Sequence, residues 1–355
     1  GENLLAYFCS MGGEDGPLYA TVIPVLNERN HIEMCLRSLV HQSIDPSLHV
    51  IMVLDGGSTD GTQKVVQSLQ QEFSSEEYPE LILLDNPGRT VSHGRNEAMK
   101  HLPPTVKFLI EMIGHASVKS THIEERIQAW ELCEQLSTKP LGGVGVKVCS
   151  PTTSMTRVES WIESALLSPL GQSGGQFSDF SEVGPTQVPA FVMHLRKAIE
   201  AVGGWDESYL TSQDSELSMR LLQAGYSLYR SPSSEVVMRK RDRLGKWWKM
   251  SHRYGFWRTK VLKKHPKRAK WQEFLPLIGL VGTLGLFLSG LPMWWLGAGL
   301  YLGVLSIESL RQSILRKDIT CLVGTPLALL ILHTGFSIGL VDGLVRKGRM
   351  PSDRS

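Results

Sequence analysis

From residue 19 to about residue 230, short apolar runs alternate with stretches whose apolar residues recur at helical spacing. "YATVIPVL" is rich in β-branched residues and ends at a turn, which predicts a buried strand. "ERNHIEMCLRSLVHQ" follows, with Ile32, Cys35, Leu36, Leu39 and Val40 on one helical face. The alternation then repeats. "HVIMVLD" reads as a strand, and "STDGTQKVVQSLQQEF" as a helix capped by Ser58 or Thr59. "ELILLDN", "SHGRNEAMKHL" and "VKFLIEM" read as strand, helix and strand. Such alternation implies crossover connections and a mostly parallel sheet, an α/β class. Ligands of these sheets bind at the carboxyl ends of the strands. Here those ends are residues 24–28, 55–62, 86–96 and 113–115.

Three apolar blocks close the chain. Residues 275–291 and 293–307 are separated by Pro292, and residues 320–345 form the third. A full helical span needs about 20 apolar residues, and the first two blocks are short for that. A tight hairpin, a partial insertion and a buried soluble helix pair are the alternatives. The flanks are basic: the cationic block described below, "RQSILRK" and "VRKGR". Basic flanks throughout suggest one shared, cytoplasmic side. Three complete spans would instead put the last flank outside.

A length of 355 residues suits more than one unit. At 42% hydrophobic and 20% charged, the chain is not a disordered one. The net charge of +2 hides an uneven distribution. Residues 239–270 hold fourteen Lys and Arg against a single acid, Asp242. Trp247, Trp248, Tyr254, Trp257 and Trp271 lie among them, and aromatic residues mixed with cations favour a membrane interface. A nucleic-acid partner is not expected. The five cysteines are odd in number and none is in CxxC spacing, which argues against a disulfide framework or zinc site. "GENLLAYFCSMGG" lacks the basic start and long apolar run of a secretory signal. The expected division is residues 18–235, an interfacial segment 236–272, and a membrane-embedded helical region 273–346.

"PVLNE" after the first strand and "LDGGSTDGT" after the second, followed by "GGWDESYLTSQDSELSMRLLQAG", resemble family 2 inverting glycosyltransferases of the GT-A fold. The segments "NPGRTVSHGRN", "SPLGQSGGQFS" and "RYGFWRTKVLKKHP" are similar to succinoglycan-type glucosyltransferases that extend lipid-linked sugars. The resemblance implies a nucleotide-sugar donor, a polyprenyl-linked acceptor, and a catalytic domain on the cytoplasmic face of the cell membrane. A sugar synthase acting on polyprenyl phosphate and a nucleotide-sugar-binding protein without turnover are the alternatives.

The resemblance also distributes roles. Asp55 would accept from a uracil-type ring nitrogen, with Pro24 and Glu28 beside it; turn or helix capping is its plainer role. Arg95 and Asn96 match a segment lining the donor site, where Arg95 could meet a phosphate. Inverting transfer needs one general base. Asp214 in "SQDSEL" matches that position and could also cap a helix. Gln213 stands where many relatives carry Glu. Trp205 and Asp206 belong to the loop shaping the sugar and acceptor pocket, where Trp205 either stacks on a sugar face or fills the core. Arg253 and Tyr254 match the last two positions of a QxxRW segment, with Met250 replacing its Gln.

The tip of the fourth strand departs from the pattern. The resemblance implies Mg²⁺ or Mn²⁺ held by an acid-x-acid or acid-x-His tip. In "FLIEMIGHA", Ile113 occupies the first acid position and His115 the last. Isoleucine cannot coordinate a cation. Glu111 shares the strand face of Ile113 but lies about 6–7 Å further back. The openings are a site held by His115 alone, neutralisation by Arg95 and other cations, or an inactive site.

Overall fold

The computed structural model describes residues 16–151, 155–171 and 180–346. The N-terminal stretch weighed as a signal lies outside them, as does most of "GQSGGQFS". β1 (Tyr19–Val25), β2 (His49–Asp55), β3 (Glu80–Asp85) and β4 (Phe108–Glu111) alternate with α1 (Ile32–Val40), α2 (Thr62–Glu72) and α3 (Val91–His101). These four strands pair in parallel in the order β3-β2-β1-β4. All seven β2 residues are buried, as expected of a strand covered on both faces.

The sheet then changes character. After β5 (Ala116–Ser117) and α4 (His122–Leu136) come β6 (Leu141–Cys149), α5 (Arg157–Leu167), β7 (Gly184–Pro185) and β8 (Met193–Leu195). The three-residue β8 pairs antiparallel with both β4 and β6. α6 (Arg196–Ala201) and α7 (Gln213–Gln223) precede the long β9 (Ser227–Met238), which runs parallel to β6. The described residues thus form a nine-stranded mixed sheet, β3-β2-β1-β4-β8-β6-β9-β5, with β7 on β9. One face buries α1 and α2 through Ile32, Leu36, Leu39, Val66 and Leu69. The other buries α3, α6 and α7 through Ala98, Ile199, Leu217 and Leu221. The α2 cap differs from expectation. Gly61 is the N-cap, and Asp60, not Ser58 or Thr59, accepts from the Thr62 N–H.

The C-terminal part is a helical layer built on α8 (Leu244–Lys264), the element carrying much of the basic–aromatic run. α9 (Leu275–Leu288), α10 (Trp294–Arg316) and α11 (Cys321–Val345) follow. α11 packs along α8 in parallel. Trp247 Nε1 donates to the Ala328 carbonyl at 2.9 Å, and Thr259 Oγ1 to the Leu340 carbonyl at 2.9 Å. Gly335, Gly339 and Gly343 recur every fourth residue on the contact face. A Cβ at Gly339 would collide with the His252 carbonyl oxygen, and one at Gly343 would sit 2.6 Å from that of Phe256. Small residues at this spacing let two helix backbones approach closely.

Candidate active site

The site is a strip along the carboxyl ends of β2, β1 and β4, closed by α7. Asp55 ends β2 and is 2% exposed. Its Oδ2 accepts from the Gly57 N–H (3.0 Å), the Ser58 N–H (2.9 Å) and Gln63 Nε2 (2.5 Å). Its Oδ1 accepts from Ser58 Oγ (2.5 Å). Asp55 therefore braces its own loop, the plainer of its two expected roles. A carboxylate offers about four lone-pair sites, so Oδ1 retains capacity for one more donor.

Pro24 lies in β1 opposite Leu54, with Glu28 in the turn beyond. Glu28 reaches the β4 tip, where its Oε1 lies 2.8 Å from His115 Nδ1. Ile113 is partly buried and packs against the core under α1. Its carbonyl accepts from Cys35 Sγ at 3.4 Å and from the Ala116 N–H at 3.3 Å. No acid takes its place. Glu111 is 2% exposed, with Oε1 3.0 Å from Arg95 Nη1 and 3.4 Å from His194 Nε2. Burial alone would raise the Glu111 carboxyl, but Arg95 and His194 outweigh it and hold it well below the usual carboxylate range. A carboxylate so committed is unavailable to a diphosphate-bound ion. Among the described residues, no group of three or more His, Cys, Asp or Glu is placed to hold a metal. The residues present do not fit the metal tip that the resemblance implies.

Arg95, expected to meet a phosphate, is 4% exposed and has its guanidinium against two acids. The same Nη1 that faces Glu111 donates to Asp214 Oδ1 at 2.6 Å. Burial opposes its charge, yet Glu111 and Asp214 together raise its pKa above the ordinary guanidinium value. Asp214 lies in the first turn of α7, with its side chain 23% exposed. It is thus the member of the Glu111–Arg95–Asp214 chain that meets solvent. The neighbouring Gln213 Oε1 is buried without a hydrogen-bond partner.

Asn96, expected to line the donor site, latches the loop before α7. Its Oδ1 accepts from the Trp205 N–H at 2.8 Å, and its Nδ2 donates to the Trp205 carbonyl at 2.8 Å and Glu207 Oε1 at 2.9 Å. Gly204 (φ +75°) makes this fit, because a Cβ there would stand 2.6 Å from Asn96 Oδ1. Trp205 is 2% exposed and packs in the core, with Arg95 5.5 Å from its ring centroid. Its faces are covered, so it is not a stacking platform for a sugar. Asp206 accepts from Lys264 Nζ at 2.8 Å, joining the loop to the end of α8. Arg253 and Tyr254 lie on α8 one turn before Trp257, whose ring packs on Tyr209 of this loop at 5.6 Å.

One cation was not singled out from sequence. Arg89, in a left-handed conformation (φ 59°), has a guanidinium nitrogen 3.8 Å from where a Cβ on Gly57 would lie. It therefore overhangs the Asp55 loop. It sits inside "NPGRTVSHGRN", but nothing in that string separates Arg89 from Arg95. Only the fold shows which one is buried.

Comparison with known proteins places this geometry. Residues 21–132 match glycosyl transferase family 2, and residues 136–341 match glycosyl transferase family group 2. The succinoglycan biosynthesis protein ExoA of Rhizobium meliloti is 31% identical over 257 residues, covering 72% of this chain and 73% of its own. A dolichyl N-acetyl-alpha-D-glucosaminyl phosphate 3-beta-D-2,3-diacetamido-2,3-dideoxy-beta-D-glucuronosyltransferase of Methanococcus voltae is 24% identical, covering 92% of this chain and 96% of its own. Among solved structures, a mannosyltransferase from Pyrobaculum calidifontis in complex with GDP-Man and Mn²⁺ shares the fold. Its TM-score is 0.57 at 16% identity, over 96% of this chain and 94% of that one. The architecture is that of a GT-A glycosyltransferase, and the described residues include two C-terminal helical segments long and apolar enough to cross a membrane. The chain belongs to glycosyltransferase family 2.

Proposed function

We propose that the enzyme is a membrane-associated inverting transferase that moves a hexose from a nucleotide-sugar, a UDP-sugar in this reading, to a polyprenyl-linked glycan. The observation that carries this is Asp214: a partly exposed carboxylate at the carboxyl-end rim of the sheet, fixed at 2.6 Å by a buried arginine. The acceptor hydroxyl gives its proton to Asp214 as its oxygen attacks the anomeric carbon. The bond to the nucleoside diphosphate breaks on the opposite face, so the configuration inverts. Arg95 orients the base through its 2.6 Å contact; the electrons of the broken bond leave with the diphosphate. The floor of the donor site is Pro24, Glu28 and the Asp55 loop, with Arg89 as the cation for the leaving diphosphate. Tyr254, Arg253 and Asp206 border the acceptor side.

The lipid-linked acceptor is supported by the Methanococcus relative, whose name specifies a dolichyl sugar phosphate. Residues 18–235 then form the catalytic unit, residues 236–272 the interfacial segment and residues 273–346 the embedded part, with the catalytic unit facing the cytoplasm. The test is release of nucleoside diphosphate across UDP-, GDP- and dTDP-hexoses, with and without Mn²⁺ and with a polyprenyl-linked glycan extract. Release from a UDP-hexose that depends on the extract is expected. Donor binding without release in every combination points to the non-catalytic reading, which the Ile113 tip favours. Release with polyprenyl phosphate alone points to a phospho-sugar synthase.

A further inference from the structure

The helical layer contains a conflict. α11 has 25 residues and the apolar composition of a membrane span. It is nevertheless joined to α8 along nearly its whole length, from Trp247–Ala328 through Thr259–Leu340 to Lys263 Nζ against the Gly343 carbonyl at 3.4 Å. Backbone-to-backbone packing at Gly335, Gly339 and Gly343 makes the two helices one unit. Between residues 246 and 264, α8 carries seven Lys and Arg. Lys246 and Lys264 are about half exposed, at 54% and 43%. A span at α11 would carry this row of cations through the hydrocarbon, which charged side chains strongly resist. α8 is also fixed to the catalytic domain by Lys264 on Asp206 and Tyr209 on the Lys260 carbonyl.

A second apolar surface is the α9–α10 hairpin, whose first arm borders a cavity shared with α8 and α11. Its arms pack on each other, with Phe287 and Trp294 rings 5.7 Å apart. Leu284, Phe287, Leu288, Trp295 and Leu300 are each more than half exposed. Both feet are held on the same body. At one foot Glu273 lies between Arg258 (3.3 Å) and Arg268 (3.5 Å). At the other, Tyr301 Oη lies 2.8 Å from His333 Nδ1, and Leu305 is buried against Trp247 and Ala328. The shorter arm sets the reach. Trp294 to Tyr301 is roughly 11 Å of helix at 1.5 Å per residue. One leaflet of hydrocarbon is roughly 15 Å deep, half of a 30 Å core.

We infer that α9–α10 is a re-entrant hairpin inserted in a single leaflet of a lipid bilayer, and that α11 does not cross it but lies with α8 at the headgroup level. The occupant of the exposed apolar face is therefore a bilayer with anionic headgroups, which the cations of α8 complement. This rests on the membrane-associated reading above, and it gives all three basic flanks one side.

Single-cysteine labelling of the full-length protein in sealed inside-out and right-side-out vesicles tests this, in a background with Cys9 and Cys149 changed to serine. Ile319→Cys and Val345→Cys stand at the two ends of α11, both 78% exposed, and Ser289→Cys stands at the hairpin tip. An impermeant maleimide should label positions 319 and 345 in the same vesicle orientation. Position 289 should label in neither until detergent is added. Labelling of 319 and 345 from opposite sides, or of 289 from the side opposite to 319, overturns the proposal. In the unmodified chain, an impermeant lysine reagent read by peptide mass spectrometry should modify Lys263 and Lys317 in the same orientation; opposite orientations also overturn it. None of these readouts needs transferase activity. Release of the protein by alkaline carbonate would instead refute the membrane-associated reading on which the proposal stands.

Discussion

Arg95 Nη1 and Asp214 Oδ1 are 2.6 Å apart, bridging 119 residues of sequence. The bond joins α3 to α7 across the carboxyl ends of the strands. It fixes the one partly exposed carboxylate of a buried charged chain. Arg95 is a positioning residue in this account, because it is 4% exposed and faces acids rather than the donor. Arg95→Gln should lower kcat by roughly 10–100-fold, within the range general-base catalysis supplies. The KM for the nucleotide-sugar should change little. A rise in KM at unchanged kcat, read from initial rates of diphosphate release, would return Arg95 to the phosphate role expected from sequence.

Glu111 supports Arg95 from below, and its low pKa makes it a stability element. The carboxyl is held down in the folded protein, so its contribution is full above the ordinary carboxylate pKa of about 4. It is lost as pH falls through the folded value. Removing one partner of a buried pair costs about 3–5 kcal/mol. Glu111→Gln should therefore lower Tm by several degrees at pH 7, and the difference from wild type should narrow toward pH 3. Thermal melts over that range check the sign; a gap that widens in acid contradicts it.

Ile113 separates this strand tip from a metal-binding one. Ile113→Asp places a carboxylate two residues from His115, beside Glu28. The variant should gain Mn²⁺-dependent affinity for UDP by calorimetry, whereas the native chain should bind UDP equally with Mn²⁺ or with a chelator. His115→Ala in the native chain should then leave metal dependence unchanged. Strong Mn²⁺ dependence in the native protein, abolished by His115→Ala, would show that His115 holds a metal after all.

Gly339 of α11 lies directly against the His252 carbonyl of α8. Gly339→Val should force the helices apart at a cost of about 1–3 kcal/mol, as overpacking does elsewhere. A lower melting temperature in detergent is expected, and faster proteolysis of α8. An unchanged melt would mean that the glycine register does not hold the layer together.

The parallel half of the sheet was legible because each of its elements has a clean period. "HVIMVLD" is a continuous apolar run and is β2 from end to end. The mixed half was not legible. β8 is three residues long, and β6, "LGGVGVKVC", is broken by glycines that clear space for Val192, Pro189 and Tyr226. Of the site, the strand ends were readable from alternation, but burial was not. Sequence could not tell that Trp205 faces the core, that Arg95 is enclosed while Arg89 is open, or that Glu111 already has partners. The glycine row at residues 335–343 was not read from the sequence, because its meaning depends on α8; Thr259 and Leu340, which meet there, are 81 residues apart.

The central claim is that Asp214 is the base, and Asp214→Asn tests it most directly. The amide keeps the shape of the side chain but cannot take the acceptor proton. Diphosphate release in the presence of acceptor should fall at least about 100-fold. Nucleotide affinity by calorimetry should stay within a few-fold of wild type. Turnover at the wild-type rate, with nucleotide binding intact, would contradict the assignment.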